Sequence, residues 1–250
     1  MKSITVQQLK DQTDSVLKMV TDGDTAVVMS GNQPTVYLSK YQIDTVKELN
    51  YLHQLTRKLI TEVIPLGIRM AAEKDLNKLL EQLLHEAQDI CHADGGTLYL
   101  RARNHELKFV MLRTKSLGFH IGGTSGKPVN LPPLKTLDDS TGKPNDRFAS
   151  TWVCINGKTL NIPDVYSSKD FDFTGTRSFD QANNYKTTSC LTVPMKDVSD
   201  HVVGVIQLIN ASDPATGKVI GFNTYLQQTV EALASLAAAA LLHHMEKLKG

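Results

Sequence analysis

A long polar insert separates two short apolar runs in the second half of the sequence. The runs are LNI at 160–162 and CLTVPM at 190–195, and the insert at 166–187 is rich in Asp, Asn, Ser, Thr and aromatic residues. It is too long for a tight turn, because hairpin loops use about two to five residues. Its side chains can form hydrogen bonds and stack on planar rings, as a binding site for a polar small molecule requires. The insert is therefore either a lid over a ligand pocket or a surface loop.

Other reactive side chains lack the partners that catalysis or metal binding requires. The segment GGTSGK at 122–127 has no four-residue spacer between its glycines, so it does not match a phosphate-binding P-loop. Cys190 lies inside a strand-like run, and no nucleophile motif accompanies it. His85 and the pair His243-His244 have no second group of ligands near them in the sequence. We therefore predict no catalytic residue, no metal site and no enzymatic activity.

The composition fits a folded protein of one large or two small domains. The chain has 250 residues, of which 41% are hydrophobic and 21% charged, and its net charge of +1 gives no electrostatic argument for nucleic acid or membranes. Three cysteines, an odd number, favour a reducing compartment over a disulfide framework. The N-terminus has no signal-peptide core, and the apolar stretch at 230–242 is too short to cross a bilayer. We expect a cytoplasmic protein that does not bind membranes.

The first 47 residues have the pattern of a small α/β unit. A short strand at 4–6 precedes a helix that ends near Gly23, and two β-rich runs, TAVVMS and PTVYLS, flank a turn at Gly31-Asn32-Gln33. This order resembles the N-terminal part of the Phd/YefM antitoxin family, whose members use it to dimerise and bind operator DNA. Five Lys and five Asp leave residues 1–47 without net charge, whereas DNA-binding surfaces are usually basic. The alternatives are DNA binding and a dimerisation or docking module.

A helical segment follows this unit. Apolar residues from Val46 to Val63 recur at spacings of three and four, which is close to a coiled-coil seam. Pro65 and Gly67 are predicted to interrupt the helix before a second amphipathic helix begins. We assign residues 48–73 to a helical linker and residues 74–250 to a second domain.

Strands dominate the second domain. Two strands, a Gly- and Pro-rich loop at 118–143, a short helix, the insert, two further strands and a long helix predict an α+β fold. Four motifs occur in order: ADGGTLYL at 93–100, INGKTLNIPDVY at 155–166, NNYKTTSCLTVPM at 183–195 and VVGVIQLINA at 202–211. Together they resemble GAF domains, over roughly Lys74 to His244. The resemblance implies a GAF-type antiparallel six-stranded sheet flanked by helices, and a sensory rather than an enzymatic role.

The motifs are most similar to the GAF subgroup of cyclic-nucleotide phosphodiesterases, adenylyl cyclases and HD-type phosphohydrolases. In cyclic-nucleotide-binding members the insert is the lid over the nucleotide. Carried over by position, the resemblance implies nine ligand-binding residues: Leu112, Arg113, Ala149, Ser150, Phe173, Asp180, Asn183, Thr187 and Gln207. Amides near Ala149 and Ser150 would hold a phosphate. Asp180 or Gln207 would bond to a purine edge, and Phe173 would stack on it.

Some positions depart from the cyclic-nucleotide pattern. Asn210 and Phe222 match it, but Ala211 replaces a Lys, and the pair Leu226 and Gln227 replaces two acidic residues. The salt bridge that ties the lid in those relatives therefore cannot form. A cyclic nucleotide, another small ligand and no ligand remain open, and no particular cofactor is predicted.

The resemblance implies a bacterial sensory protein whose GAF domain binds a small molecule and signals through paired helices of a homodimer. The helices at 45–63 and 222–247 would pair. Their contacts would include Val230, Leu233, Leu236, Ala237, Ala240 and Leu241. The alternatives are a transcriptional regulator or antitoxin-like DNA-binding protein under GAF control, and a sensory fragment of a cyclase or HD phosphohydrolase.

Overall fold

The computed structural model describes residues 2–30 and 33–247, which form two compact units. The first unit comprises Met1–Arg57 and the second Lys58–Gly250. Each unit has its own β-sheet. The tip of the predicted hairpin, Gly31-Asn32, lies outside the described residues.

The first unit contains a three-stranded sheet. Its elements are β1 (Lys2–Thr5), α1 (Val6–Asp11), α2 (Thr13–Thr21), β2 (Ala26–Ser30), β3 (Gln33–Leu38) and α3 (Lys40–Lys58). β2 pairs in parallel with β1 and antiparallel with β3.

The Thr5 hydroxyl accepts a hydrogen bond from the Gln8 amide at 3.1 Å, and the Gln8 side chain accepts one from the Thr5 amide at 2.8 Å. This capping box starts α1, and Val16, Val20 and Ala26 form a small core.

The helix expected to break at Pro65 and Gly67 continues through both residues. A π-helical segment, Leu59–Val63, leads directly into α4, Ile64–Ala72. Pro65 lies in the first turn of α4, where its missing N–H removes no hydrogen bond within that helix. Gly67 permits close packing, since an added Cβ would lie 2.7 Å from Cδ1 of Leu236. The two residues therefore mark a change of helix type and a close interhelical contact, not a helix end.

The second unit is built on an eight-stranded antiparallel sheet. Its further elements are α5 (Leu76–Ile90), β4 (Ala93–Ala102), β5 (Glu106–Thr114), β6 (Phe119–Gly122), β7 (Leu134–Lys135), α6 (Ala149–Asn156), β8 (Leu160–Ile162), α7 (Thr174–Asn183), β9 (Cys190–Lys196), β10 (Val202–Ser212), β11 (Val219–Ile220) and α8 (Thr224–Lys247). The main path is β6-β5-β4-β10-β9-β8, while β7 pairs with β5 and β11 with β10. The predicted six-stranded path is thus present, with two short additions.

Two of these strands, β6 and β7, lie in the segment that was predicted as a loop. They contain four and two residues, and such short strands carry too little hydrophobic alternation to be recognised in a sequence. Both form by pairing with β5, which is a tertiary contact. The Gly and Pro residues correctly indicated frequent turns, but they did not indicate that two short strands of this segment pair with β5.

Alternation along the central strands sends neighbouring side chains to opposite faces of the sheet. Leu98 of β4 and Ile206 and Leu208 of β10 pack with α5 and α8 in the main core. Tyr99 and Val205 face the other side, where they pack in a smaller cluster that includes residues of α6. Helices therefore cover both faces of the sheet, and the α+β prediction is confirmed.

Two adjacent glycines allow close packing on both faces at the start of β4. A Cβ on Gly95 would lie 2.6 Å from Cγ1 of Ile209, and a Cβ on Gly96 would lie 2.7 Å from Cδ1 of Leu84 on α5. Both distances are shorter than the van der Waals contact distance between two carbon atoms, so a larger residue would force neighbouring side chains apart. Gly96 thus sets how closely α5 approaches the sheet, and Gly95 makes room for Ile209 on the other face.

The apolar stretch at 230–242 forms the middle of α8 and is buried within its own chain. Five of the six residues expected to form dimer contacts are at most 4% exposed: Val230, Leu233, Ala237, Ala240 and Leu241. They belong to the main core, where α8 packs on the sheet, α4 and α5. This face of α8 therefore does not provide the dimer contacts expected from the sequence. Among the described residues we find no helix with the length and apolarity to span a bilayer.

Candidate functional site

A cavity of about 360 Å³ lies on the sheet face opposite α5 and α8. Strands β4, β5 and β10 form its floor, and α6, α7 and the segments before them cover it. Small-molecule sites have volumes of about 300–1,000 Å³, so the cavity is large enough for a ligand. The polar insert at 166–187 supplies α7 and part of the cover. The cavity is therefore the candidate ligand site.

Polar side chains from adjacent strands form part of the floor. Gln207 of β10 pairs in register with Thr97 of β4, which pairs with Leu112 of β5. The Gln207 amide donates a hydrogen bond to the Thr192 hydroxyl at 3.1 Å, and its oxygen accepts one from the Tyr99 hydroxyl at 3.2 Å. Burial raises the pKa of Tyr99 well above its usual value, so the phenol remains a donor. Gln207 consequently presents its amide to the cavity in a defined orientation.

Aromatic rings surround much of the cavity. Phe119 and Phe179 meet edge to face with ring centroids 5.9 Å apart, and the centroids of Tyr99 and Phe109 lie 4.7 Å apart. Phe173 also lines the cavity and is 5% exposed. Apolar walls with a few oriented polar groups are typical of sites that bind planar heterocycles.

The N-terminus of α6 borders the cavity. Ala149 and Ser150 are its first two residues; both line the cavity, and both are less than 5% exposed. The preceding Phe148 makes no side-chain capping bond to the first-turn amides. Such amides carry partial positive charge and have no acceptor within the helix. They can therefore donate hydrogen bonds to an anionic group of a ligand.

An acidic residue that the sequence analysis missed also lines the cavity. Asp172 lies just before α7, where its carboxylate accepts a hydrogen bond from the Thr174 amide at 2.8 Å and pairs with Arg147. The bonds from Thr174 and the charge of Arg147 hold the pKa of Asp172 at about 2, so the carboxylate is ionised at neutral pH. Because Arg147 lies just before α6, the ion pair joins the starts of the two covering helices.

Asp180 and Asn183, two of the predicted ligand-binding residues, do not line the cavity. Asp180 is 2% exposed, and its carboxylate accepts hydrogen bonds from the Thr187 amide at 2.8 Å and from the Thr187 and Tyr166 hydroxyls, each at 2.9 Å. Asn183 is exposed, and its amide donates to the Phe179 carbonyl at 2.8 Å. Asp180 thus fastens α7 to the chain on both sides of it, while Asn183 bonds within α7.

The other predicted ligand-binding residues border the cavity. They are Leu112, Arg113, Ala149, Ser150, Phe173, Thr187 and Gln207. The Arg113 side chain nevertheless extends to α5, where its guanidinium donates to Oε1 of Gln88 at 3.1 Å. An anionic ligand would therefore be held by the amides of α6 rather than by this guanidinium.

Hydrogen bonds anchor the end of the insert, where the sequence lacks the salt bridge of cyclic-nucleotide-binding relatives. The Asn210 amide donates to the Tyr185 hydroxyl at 2.9 Å and to the Lys186 carbonyl at 2.8 Å, and its oxygen accepts from the Thr188 amide at 2.7 Å. The Tyr185 hydroxyl donates in turn to the Asp94 carboxylate at 2.7 Å. The return from the lid to β9 is thus tied to β4 and β10.

Relatives of this chain are found among curated proteins. A dual 3',5'-cyclic-AMP and -GMP phosphodiesterase 11 from Drosophila melanogaster is 27% identical over an alignment of 191 residues that covers 71% of this chain and 12% of that protein. A dual 3',5'-cyclic-AMP and -GMP phosphodiesterase 11A from Takifugu rubripes is 36% identical over 61 residues, 24% of this chain and 6% of that protein. The chain therefore spans a small part of the length of these relatives.

Solved structures share the fold at low sequence identity. The GAF domain of a phosphoenolpyruvate-protein phosphotransferase from Coxiella burnetii has a TM-score of 0.52 at 14% identity, covering 81% of this chain and 96% of that one. The free methionine-R-sulfoxide reductase from Neisseria meningitidis has a TM-score of 0.51 at 15% identity, covering 74% and 90%. Such identities support the shared fold alone.

A family model of the GAF domain matches residues 75–241, more than half of the sequence, and the chain therefore belongs to the GAF domain family.

Proposed function

We propose that the protein is a non-enzymatic sensor whose second unit binds a small molecule in the cavity covered by α7. The observation that carries this proposal is the convergence of three features on one cavity of about 360 Å³: the α6 N-terminus, the oriented Gln207 amide and aromatic walls. GAF domains are typical of sensory proteins, and the curated relatives are cyclic-nucleotide phosphodiesterases. The ligand class we favour is a purine nucleotide, with cyclic nucleotides included.

Charges around the cavity favour a ligand with little negative charge. Asp172 is ionised in the wall, and the Arg113 guanidinium is bonded to Gln88. In the described part of the chain, Arg113 is the sole Lys or Arg residue of the lining. Because Arg147 balances the charge of Asp172 and Arg113 extends to α5, the described lining directs no cation at a dianionic phosphate, whereas the α6 amides can accommodate the single charge of a cyclic monophosphate. A neutral purine or nucleoside is the second candidate.

Cysteine chemistry does not suit this cavity. Cys91, Cys154 and Cys190 are free and buried. Burial raises the pKa of Cys190, which lines the cavity, to about 11. The thiolate, which is the reactive form, is therefore scarce at neutral pH. This supports a binding role over a thiol-dependent redox reaction.

The sheet offers a direct route from the cavity to the helices on its other face. Ile209 of β10 lines the cavity, whereas the adjacent Leu208 packs in the core with α5 and α8. A ligand that binds more tightly to one arrangement of the lid and strands shifts the population toward that arrangement. We propose that binding changes the packing of α4, α5 and α8 in this way.

An exposed apolar stripe supports a homodimer. Ile60, Ile64 and Ile68 follow at four-residue spacing along the π-helical segment and α4, and they are 59%, 50% and 67% exposed. Adjacent exposed isoleucines are unusual on a monomeric protein and indicate a protein–protein contact. We propose that this stripe, rather than the buried face of α8, pairs between two copies of the chain.

The relationship of residues 1–47 to the Phd/YefM antitoxins stays a prediction. We propose that this segment serves in dimerisation or docking, because its five Lys and five Asp leave no net charge to attract DNA. The alternative is a transcriptional regulator. Electrophoretic mobility shifts with double-stranded DNA distinguish the two: we expect weak, sequence-independent retention, and tight binding to one defined sequence would contradict the docking role.

Ligand binding is tested by calorimetric titration with cyclic GMP, cyclic AMP and adenosine. We expect one site per chain for at least one of them. Gln207→Leu should weaken binding about tenfold, equivalent to about 1.4 kcal/mol, because the ligand loses an oriented amide. Gln54→Leu, at an exposed position of α3, is the matched control and should leave the affinity unchanged. The absence of binding for all three compounds would contradict the proposed ligand class.

The Asp180 carboxylate is predicted to hold the lid. Asp180→Asn replaces one acceptor oxygen by a donor, so at least one of its three hydrogen-bond partners loses its acceptor. We expect a free energy of unfolding lower by about 1–3 kcal/mol and faster limited proteolysis within residues 166–187. Asp170→Asn, an exposed residue of the same insert, is the matched control. Cleavage rates equal to those of the unmodified chain would show that the lid does not depend on Asp180.

The homodimer is tested by sedimentation velocity of the full chain. Ile64→Glu should convert the dimer to a monomer, because it places a charge at the centre of the apolar stripe, where pairing would remove it from water. Val198→Glu, at a position that is 99% exposed in the turn between β9 and β10, should leave the dimer intact. An unmodified chain that sediments as a monomer at every concentration would refute the interface.

A further inference from the structure

Three potential metal ligands meet on the sheet face opposite the cavity. Glu81 and His85 lie one helical turn apart on α5, and His120 lies on β6. One ligand atom from each residue lies within 4.8 Å of the other two. His120 pairs in register with Arg113, whose side chain also extends to α5, whereas the preceding Phe119 lines the cavity. The cluster is therefore separate from the proposed ligand site.

The two imidazoles each bury a nitrogen that has no partner. Nε2 of His85 and Nε2 of His120 are inaccessible to solvent and form no hydrogen bond within the described part of the chain. Oε1 of Glu81 lies 3.9 Å from the first nitrogen and 3.8 Å from the second, which is too far for a hydrogen bond. Buried polar atoms are normally satisfied, so these two nitrogens indicate a partner from outside the chain.

The Glu81 carboxylate is held in place through its other oxygen. Oε2 accepts a hydrogen bond from the Thr124 amide at 3.0 Å and a second from the Thr124 hydroxyl. These bonds leave Oε1 nearest to both imidazoles. Hydrogen bonds of this kind orient the carboxylate ligands of protein metal sites.

We propose that Glu81, His85 and His120 bind a divalent first-row transition metal ion through Oε1 and the two Nε2 atoms. Two imidazoles and one carboxylate form a ligand set suited to Zn²⁺ or Fe²⁺ that leaves coordination positions open. Bonds of about 2.0–2.2 Å at tetrahedral angles place ligand atoms about 3.4 Å apart. Oε1 of Glu81 lies 3.9 and 3.8 Å from the two Nε2 atoms, so these separations exceed that value by about half an ångström, which side-chain rotations can close.

Charges near the cluster allow a cation to bind. Glu81 supplies one negative charge, which offsets the positive charge of Arg113 near His85, since Asp89 on the next turn of α5 is paired with Lys115 at 2.6 Å. The Arg113 guanidinium is itself bonded to Gln88 at 3.1 Å. Because Ca²⁺ and Mg²⁺ prefer oxygen ligands, the two imidazoles make the site selective for transition metals.

The proposal is tested by titrating the full, tag-free chain with Zn²⁺ and separately with Co²⁺, whose absorption spectrum reports its ligands. We expect one equivalent of Zn²⁺ per chain, a raised melting temperature and no displacement by Ca²⁺ or Mg²⁺. His120→Gln and Glu81→Gln should each weaken Zn²⁺ binding at least about tenfold, since even hydrogen bonds to metal ligands contribute about 10–100-fold in affinity. His53→Gln, at an exposed position of α3, should bind Zn²⁺ as the unmodified chain does.

Substitutions of Thr124 test whether its hydrogen bonds orient the Glu81 carboxylate as a metal ligand. Thr124→Val should weaken Zn²⁺ binding about 10–100-fold, whereas Thr124→Ser should retain it. Circular dichroism shows which variants are folded, and the Thr124 pair decides the question if His120→Gln does not fold. The proposal is overturned if Zn²⁺ does not bind stoichiometrically, if binding survives all of these substitutions, or if the Co²⁺ spectrum shows thiolate bands, which would assign the metal to cysteine.

Discussion

Strands β4 and β10 are hydrogen-bonded at the centre of the large sheet, and the side chains along them alternate between its two faces. Leu98, Ile206 and Leu208 make one face apolar, and α5 and α8 bury it in the main core. Thr97 and Gln207 make the other face partly polar. On this face α6 packs against Tyr99 and Val205, while α7 and the segments before the two helices enclose the cavity over the neighbouring part of the sheet. The pairing of two strands thus decides both where the core lies and where a ligand can enter.

Polar contacts hold the cover of the cavity together with an apolar cluster that includes Val165 and Phe173. Asp180 accepts three hydrogen bonds from residues before and after α7, and Asn210 ties the return of the chain to β10. The ion pair of Asp172 with Arg147 joins the starts of α6 and α7. Individual hydrogen bonds contribute about 0.5–1.5 kcal/mol, so a cover of this kind can be well ordered and still open at modest cost. That property suits a site that must admit and release a small molecule.

Two of the residues that the sequence analysis missed share one cause. Phe119 and His120 lie in β6, inside a segment rich in turn signals, and their neighbours on α5 and α7 are distant in sequence. Because His85 has no other ligand cluster beside it in the chain, the sequence predicts no metal site there. Pairing of β6 with β5 brings His120 to Glu81 and His85 from 35 or more positions away. The residue pattern of a single segment cannot predict a contact of that kind.

Alternation, turn residues and motif spacing are local properties, so the order of the long helices and strands, the GAF family resemblance and the position of the insert as a cover could be predicted from the sequence alone. The sequence also indicated seven residues that border the cavity. The direction of particular side chains follows from tertiary contacts instead. Arg113 turns to Gln88 on α5, Asp180 turns inward to Thr187 and Tyr166, and the helix passes through Pro65 without ending. Each of these outcomes depends on strand register and on contacts with residues far along the chain. Those contacts determine which orientation of a side chain has the lowest free energy, and no single segment contains them.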